Sequence, residues 1–199
     1  MKVLAIVPAR CGSKGFIDKN IKKIENKTLL ELAVEVGIDC PIVNDIYVST
    51  DCKRYEDIAL NAGCKSFGLR DESLSTDSSK TIDVVIDVIQ KCSTSYDYVV
   101  LLQPTSPVRA PQDIENMIAL IEKNNMDASV TISSFDEPHP YKLKSISSNG
   151  MVAAFINGKT SEIPRQLLPK VYALTGAIYI VRVNTVLENK TLLPKKTIP

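Results

Sequence analysis

Val3-Leu4-Ala5-Ile6-Val7 is apolar at every position and ends at Pro8. A strand with one wet face alternates apolar and polar residues, so an unalternating run has to be covered on both faces, as in a parallel sheet layered with helices. Tyr98 to Leu102 has the same character, and Ile46 to Ser49, Ser66 to Leu69 and Ala128 to Ile132 read as further short strands. Segments of helical period lie between them. Thr28-Leu29-Leu30-Glu31 has capping-box spacing, and Leu29, Leu32, Ala33 and Val36 continue it as a helix to about Asp39. Tyr55 to Ala62, Thr81 to Ile89 and Pro111 to Glu122 read as helices too, the last with a proline in its first turn, where no amide hydrogen is missed.

This order predicts an α/β fold: a three-layer, doubly wound, mostly parallel sheet of Rossmann-like kind, with ligands at the carboxyl ends of its strands. At 199 residues, 44% of them hydrophobic, the chain can bury one such core. The alternation stops after Ser134. From Phe135 to Tyr172 the chain is rich in proline, serine, lysine and glycine, with a turn at Ser147-Ser148-Asn149-Gly150 between two short candidate strands. Ala177 to Val181 then returns to the β-branched pattern. The expected organisation is a core over residues 1–134, a protruding arm over 135–172 and a return to the sheet over 173–199.

Twenty-four basic against 23 acidic residues leave a net charge of +1, which excludes a surface built to hold nucleic acid or an anionic membrane by bulk charge. The first apolar run is too short for a signal segment or a membrane span, and Cys11, Cys40, Cys52, Cys64 and Cys92 show no C-x-x-C spacing. Both features fit a cytoplasmic protein with reduced thiols. The single histidine, His139, is bracketed by Pro138 and Pro140, and no nucleophile motif points toward it, so it reads as structural rather than catalytic.

Charge is concentrated in one place. Arg10, Lys14, Lys19, Lys22 and Lys23 face only Asp18 between positions 10 and 23, directly after the first strand. Such a loop suits a solvated basic turn, or a phosphate site in which glycine-flanked amides and cations meet a polyanion. It lacks both the G-x-G-x-x-G of dinucleotide folds and the spacing of a Walker loop, which disfavours a dehydrogenase or a P-loop ATPase.

The stretch Ala9-Arg10-x-Gly12-Ser13-Lys14-Gly15-x-x-x-Lys19-Asn20 resembles the nucleotide loop of the acylneuraminate cytidylyltransferases, the CMP-sialic acid synthetases, including CMP-legionaminic acid synthetase-like members. The resemblance recurs in order at Ser49-Thr50-Asp51, at Arg70 with Leu74-Ser75-x-Asp77, and at Leu101-Leu102-Gln103-Pro104-Thr105-Ser106-Pro107-x-Arg109. It continues at Pro164-Arg165-Gln166-x-Leu168-Pro169 and Gly176-Ala177-Ile178-Tyr179, so that it spans nearly the whole chain.

The resemblance implies transfer of CMP from CTP to the anomeric hydroxyl of a nonulosonic acid, with release of pyrophosphate. It assigns Arg10, Gly12, Ser13, Lys14, Lys19 and Asn20 to nucleotide binding, with Arg10, Lys14 and Lys19 acting on charge at the α-phosphate. Arg70 and Thr81 fall near cytosine and ribose, and Gln103, Pro104, Thr105, Ser106 and Tyr179 near the sugar. In the family the arm exchanges within a homodimer, and Lys142 and Arg165 match basic residues that reach the partner's sugar carboxylate. Mg²⁺ is expected as cofactor. Its acidic D-x-D segment belongs shortly after Leu193-Pro194 and so beyond Pro199, and no metal ligand is expected within the 199 residues.

Where the family commonly has arginine and asparagine before Gly-Ala-Ile-Tyr, this chain has Ala173 and Thr175, which leaves the identity of the sugar acid open. An octulosonate cytidylyltransferase would carry A-R-x-x-S-x-R-L-P-x-K-P in the first loop, against which Gly12-Ser13-Lys14-Gly15 and Lys19-Asn20 argue. A non-catalytic nucleotide-sugar binding module is the alternative from another class.

Overall fold

The computed structural model describes residues 1–12, 15–135 and 137–199. The chain opens with β1 (Val3–Pro8), then β2 (Lys23–Ile24) and β3 (Lys27–Thr28), which pair antiparallel as a small ribbon. Next come α1 (Leu29–Ile38), β4 (Asp45–Ser49), α2 (Lys53–Asn61), α3 (Thr81–Lys91), β5 (Tyr98–Leu101), α4 (Pro111–Asn124) and β6 (Ala128–Ser134). The remaining elements are β7 (Lys144–Ile146), β8 (Val152–Ala154), β9 (Tyr172–Arg182), α5 (Val183–Asn189) and β10 (Thr197–Ile198).

The main sheet has the order β10-β6-β9-β5-β1-β4. β1 is parallel to β4 on one side, with Leu4 opposite Asp45, and to β5 on the other, with Leu4 opposite Val99. The unalternating sequence of β1 is explained by burial on both faces. Val3, Ala5 and Val7 join a cluster with Leu30, Ala33, Tyr55, Ile114 and Ile121 from α1, α2 and α4, while Leu4 and Ile6 join Val85, Val88 and Val186 from α3 and α5. Side chains alternate across a strand, so this division places helices on both faces of the sheet. Each fully buried Leu, Ile or Val here contributes about 1.5–3 kcal/mol relative to an exposed one.

Local signals act where the sequence puts them. The Thr28 hydroxyl accepts the Glu31 N–H at 3.1 Å, and Glu31 Oε2 accepts the Thr28 N–H at 2.6 Å, closing the capping box of α1. Hydrogen bonding to Thr28 in turn holds the Glu31 carboxyl below its ordinary range. Pro111 opens α4, and Asp113 accepts the Ala110 N–H at 2.8 Å.

Two features depart from the sequence reading. Ser66 to Leu69 is not a strand: only Lys65 forms a bridge, to Tyr47, and Ser66 Oγ accepts the Gly68 N–H at 3.0 Å, which turns the chain away. Phe67 stacks on Tyr47 with centroids 4.4 Å apart, so its apolar bulk covers the sheet instead of extending it. The returning strand is also longer than Ala177 to Val181, and it runs antiparallel to β5, with Leu101 opposite Tyr179. Among the described residues no α-helix lies between β6 and β9, and without such a crossover the chain is free to return in the opposite direction.

The described residues form two compact units, Met1–Thr131 with Gly176–Pro199, and Ile132–Thr175. The smaller unit contains the antiparallel pair β7–β8. Ser147 N–H donates to Met151 O at 3.0 Å where that hairpin turns.

Candidate active site

The carboxyl ends of β1 and β5 open into a cleft of about 340 Å³. Past β1 the chain stays tied to β4, because Ala9 N–H donates to Ser49 O at 3.0 Å, and Arg10 follows at the edge of the cleft. Gly12 has φ +69°, a backbone state open to glycine at little cost, where the loop turns away. The loop returns at Asp18, whose Oδ1 accepts the Tyr55 hydroxyl at 2.9 Å. Burial, with that bond adding to it, pushes the Tyr55 hydroxyl above its ordinary value.

Lys19 lines the cleft. Asn20 is 4% exposed, and its Nδ2 donates to Arg10 O at 3.0 Å. Its side chain therefore positions the Arg10 backbone as well as bordering the cleft. Ser13 and Lys14 lie outside the described residues.

The opposite wall comes from the segment between β4 and α3. Arg70 is only 7% exposed; its N–H donates to Thr50 O at 2.7 Å and its Nε to Ser75 Oγ at 3.1 Å. Desolvation pulls its guanidinium below the ordinary arginine value; Asp51 opposes this and Arg10 adds to it. A buried cation next to a second cation favours an anion between them. Arg10 Nη1 reaches Asp77 Oδ1 at 2.8 Å, and Thr81, the first residue of α3, lines the cleft at the positive end of that helix.

Gln103, Pro104 and Thr105 follow β5 and complete the lining. Ser106 closes their turn, its N–H donating to Gln103 O at 3.2 Å. Arg109 Nη1 donates to Gln103 O at 2.9 Å and to Ala177 O at 2.5 Å, joining the turn to β9. Burial pushes the Arg109 guanidinium down to about 10. Gly176, with φ +74°, lets both side chains of the turn approach the backbone, since a Cβ there would stand 2.7 Å from Gln103 Oε1 and 3.2 Å from Ser106 Oγ.

The structure thus gathers Arg10, Lys19, Asn20, Arg70, Thr81, Gln103, Pro104 and Thr105 around one space. Tyr179 is not in that lining; it packs with the apolar cluster of Leu101 and Val85, and burial raises its hydroxyl above the ordinary value. Lys142 and Arg165 belong to the smaller unit, where they border a separate hollow with Glu137 and His139, and Arg165 Nη1 pairs with Glu137 Oε1 at 2.9 Å. His139 is 5% exposed: its Nδ1 accepts the Tyr141 N–H at 3.2 Å, so Nε2 carries the proton toward Pro169 O at 3.1 Å. That arrangement is structural.

Sequence reasoning gave no cleft role to Thr76, Asp77 or Ser79, although Asp77 stood inside a recognised block. The run of hydroxyl residues from Ser73 to Ser79 was the available signal, since its members bond to one another, as Thr76 and Ser79 do at 2.7 Å. Among the described residues, no three His, Cys, Asp or Glu side chains gather into a cation site. Asp77 is engaged with Arg10, and Asp51 accepts the Cys11 N–H at 2.8 Å. These residues do not by themselves build the Mg²⁺ site that the resemblance implies.

Comparison with known proteins agrees with this geometry. A family model described as Cytidylyltransferase matches residues 4–184. The CMP-N,N'-diacetyllegionaminic acid synthase of Legionella pneumophila is 34% identical over 202 residues, covering 100% of this chain and 86% of that protein. The N-acylneuraminate cytidylyltransferase of Streptococcus agalactiae is 32% identical over 199 residues, 99% of this chain but 47% of its own length, so the chain spans about half of that relative. In fold, the chain superimposes on a CMP:2-keto-3-deoxy-manno-octonic acid synthetase solved with CTP, with a TM-score of 0.71 at 20% identity over 98% of this chain and 79% of that one. With an α/β sheet that carries a cation-lined cleft at its carboxyl edge, the chain belongs to the cytidylyltransferase family and is a nucleotidyltransferase.

Proposed function

We propose that this protein transfers CMP from CTP to the anomeric hydroxyl of a nonulosonic acid and releases pyrophosphate. The observation that carries the reading is the meeting of Arg10, Lys19 and Arg70 with the Gln103-Pro104-Thr105 turn around one cleft. The names of the relatives, which make CMP-activated legionaminic and acylneuraminic acids, support the substrate class. In the proposed reaction the sugar hydroxyl oxygen attacks the α-phosphorus, its proton departs, and the bond from the α-phosphorus to the bridging oxygen breaks. Charge grows on the phosphate oxygens during that step, and the cations that meet it supply most of what a protein can contribute. Arg10, Lys19 and, in the loop, Lys14 take that role. Arg70 and Thr81 hold the nucleoside end, and Gln103, Thr105 and Ser106 orient the sugar.

Mg²⁺ is part of the proposal; held with carboxylate help against the bound CTP, it would offset the charge of the triphosphate. A cytoplasmic location is proposed as well, supported by cysteines that are all unpaired thiols. Among the described residues no helix is long and apolar enough to cross a membrane. A homodimer through residues 135–172 is supported by the exposed apolar side chains of that segment, with Ile146 78%, Val152 70% and Leu167 70% accessible. Lys142 and Arg165 would then serve the sugar carboxylate of the partner's site.

The test measures thermal stabilisation by CTP, UTP, GTP and ATP, and then pyrophosphate release with neuraminic, legionaminic and octulosonic acids, with and without magnesium. CTP is expected to stabilise most, and a nonulosonic acid to be consumed fastest. Equal stabilisation by ATP and CTP overturns the cytidine assignment, and turnover with octulosonic acid alone overturns the sugar assignment. Sedimentation of the intact chain and of Val152→Lys tests the dimer, which the lysine should weaken.

A further inference from the structure

The parallel pairing of β1 with β4 sets Pro8 opposite Ser49. It persists past both strand ends, because Ala9 N–H donates to Ser49 O at 3.0 Å and Cys11 N–H to Asp51 Oδ1 at 2.8 Å. Three residues on from Pro8 and from Ser49 lie Cys11 and Cys52, where the bond from Cys11 N–H to Asp51 still holds the two segments together. The Cys11 N–H therefore rests on the residue that precedes Cys52, and the two thiols are both half-buried and pack against the same core cluster. A disulfide bridges Cα atoms roughly 4.4–6.8 Å apart, and the two segments leave β1 and β4 at the spacing of neighbouring strands, about 4.7–4.9 Å. Neither residue is held in the ladder. Cys11 lies in a bend and Cys52 is the N-cap of α2, so both side chains have room to turn toward each other. The remaining cysteines differ: Cys40 and Cys64 are buried in the core, and Cys92 packs with the opposite cluster.

We propose that Cys11 and Cys52 form a reversible disulfide that ties the start of the nucleotide loop to the start of α2 and weakens CTP binding. With hydrogen peroxide as the oxidant, one sulfur takes an oxygen to become a sulfenic acid and one water is released. The second sulfur then attacks it, the S–S bond forms, and a second water leaves. Two thiols lose two electrons and two protons, and the peroxide is reduced to two waters. Burial raises the Cys11 thiol above its ordinary value, and the Cys52 hydrogen bond adds to this.

An S–S bond is about 2.05 Å long, shorter than any hydrogen-bonded contact between two sulfurs. Its formation draws Cys11 toward α2. Arg10 is the preceding residue and lines the cleft, so it is displaced relative to Asp77 and to any bound phosphate. The disulfide stands on this geometry alone; its effect on CTP rests on the proposed function.

The experiment treats the full chain with peroxide and digests it without reductant. The expected result is a linked peptide pair containing Cys11 and Cys52, lighter by two hydrogens than the sum of its parts and separated by a thiol reductant. CTP affinity should fall several-fold on oxidation and recover on reduction, while Cys52→Ser binds CTP like the reduced protein and ignores the treatment. Failure to find the linked pair, unchanged CTP affinity in the linked protein, or an equal loss in Cys52→Ser each overturns the inference. If the reduced protein does not bind CTP, the functional reading fails, and the peptide analysis still decides the disulfide.

Discussion

Arg10 Nη1 lies 2.8 Å from Asp77 Oδ1 and so meets a carboxylate across the cleft where a phosphate is proposed to bind. The side chains are 31% and 49% exposed, so water screens the pair and CTP can exchange for it at modest cost. Asp77→Asn should therefore tighten CTP binding by about two- to five-fold when titrated calorimetrically in the presence of a chelator. Weaker binding would show that Asp77 shapes the site rather than competes for its cation.

Replacing Arg10 or Lys19 with alanine should slow turnover on the order of 10²-fold, and by more than it weakens CTP binding, because a cation that meets developing charge acts mainly in the transition state. Lys22→Ala is the control. Lys22 is exposed, with its ammonium 5.2 Å from the centroid of Phe16, and it is not in the cleft lining. Single-turnover rates beside CTP affinities for the three variants decide the point: a comparable loss in all three would mean that the loop acts only as diffuse positive charge.

Asp45 begins β4, and hydrogen bonds from Lys65 and then from the Tyr96 hydroxyl hold its carboxyl below the ordinary range. A carboxylate with a depressed folded value stabilises the fold above its unfolded value of about 3.9, and that contribution is lost as pH falls through the folded value. Asp45→Asn should lower Tm by about 2–4 °C near pH 7, with the gap closing below about pH 4. A gap that stays constant to the lowest pH studied would assign the effect to shape rather than charge.

The layered core was legible because burial leaves a direct trace in sequence: Val3 to Val7 lacks a polar position since both its faces are covered. Thr28 and Glu31 were legible for a similar reason, a capping box being a local code. Direction and distance leave no such trace. Nothing in Ala177 to Val181 distinguishes an antiparallel strand from a parallel one, and nothing in Ser66 to Leu69 tells that Phe67 covers Tyr47. The cleft shows the same limit. Its cations stood out as a cluster in the first loop, whereas Asp77 reaches Arg10 over 67 positions of sequence and became visible only in the fold.

Gly176 gives the sharpest handle on the sugar side of the cleft. Its φ of +74° costs an L-residue about 1–2 kcal/mol, so Gly176→Ala should lower stability by roughly that amount. The added methyl would also meet Gln103 Oε1 at 2.7 Å. That atom ends a flexible side chain, so the glutamine yields before the backbone does, and it moves from the position in which Gln103 lines the cleft. In the proposed reaction KM for the sugar acid should then rise more than KM for CTP. Gln103→Ala should reproduce the kinetic change without the loss of stability, because it leaves the Gly176 backbone untouched. Thermal unfolding and steady-state kinetics on the two variants test both halves. If Gly176→Ala raised KM for CTP and left the sugar acid unaffected, Gln103 would belong to the nucleotide side, and the turn after β5 would have to be reassigned.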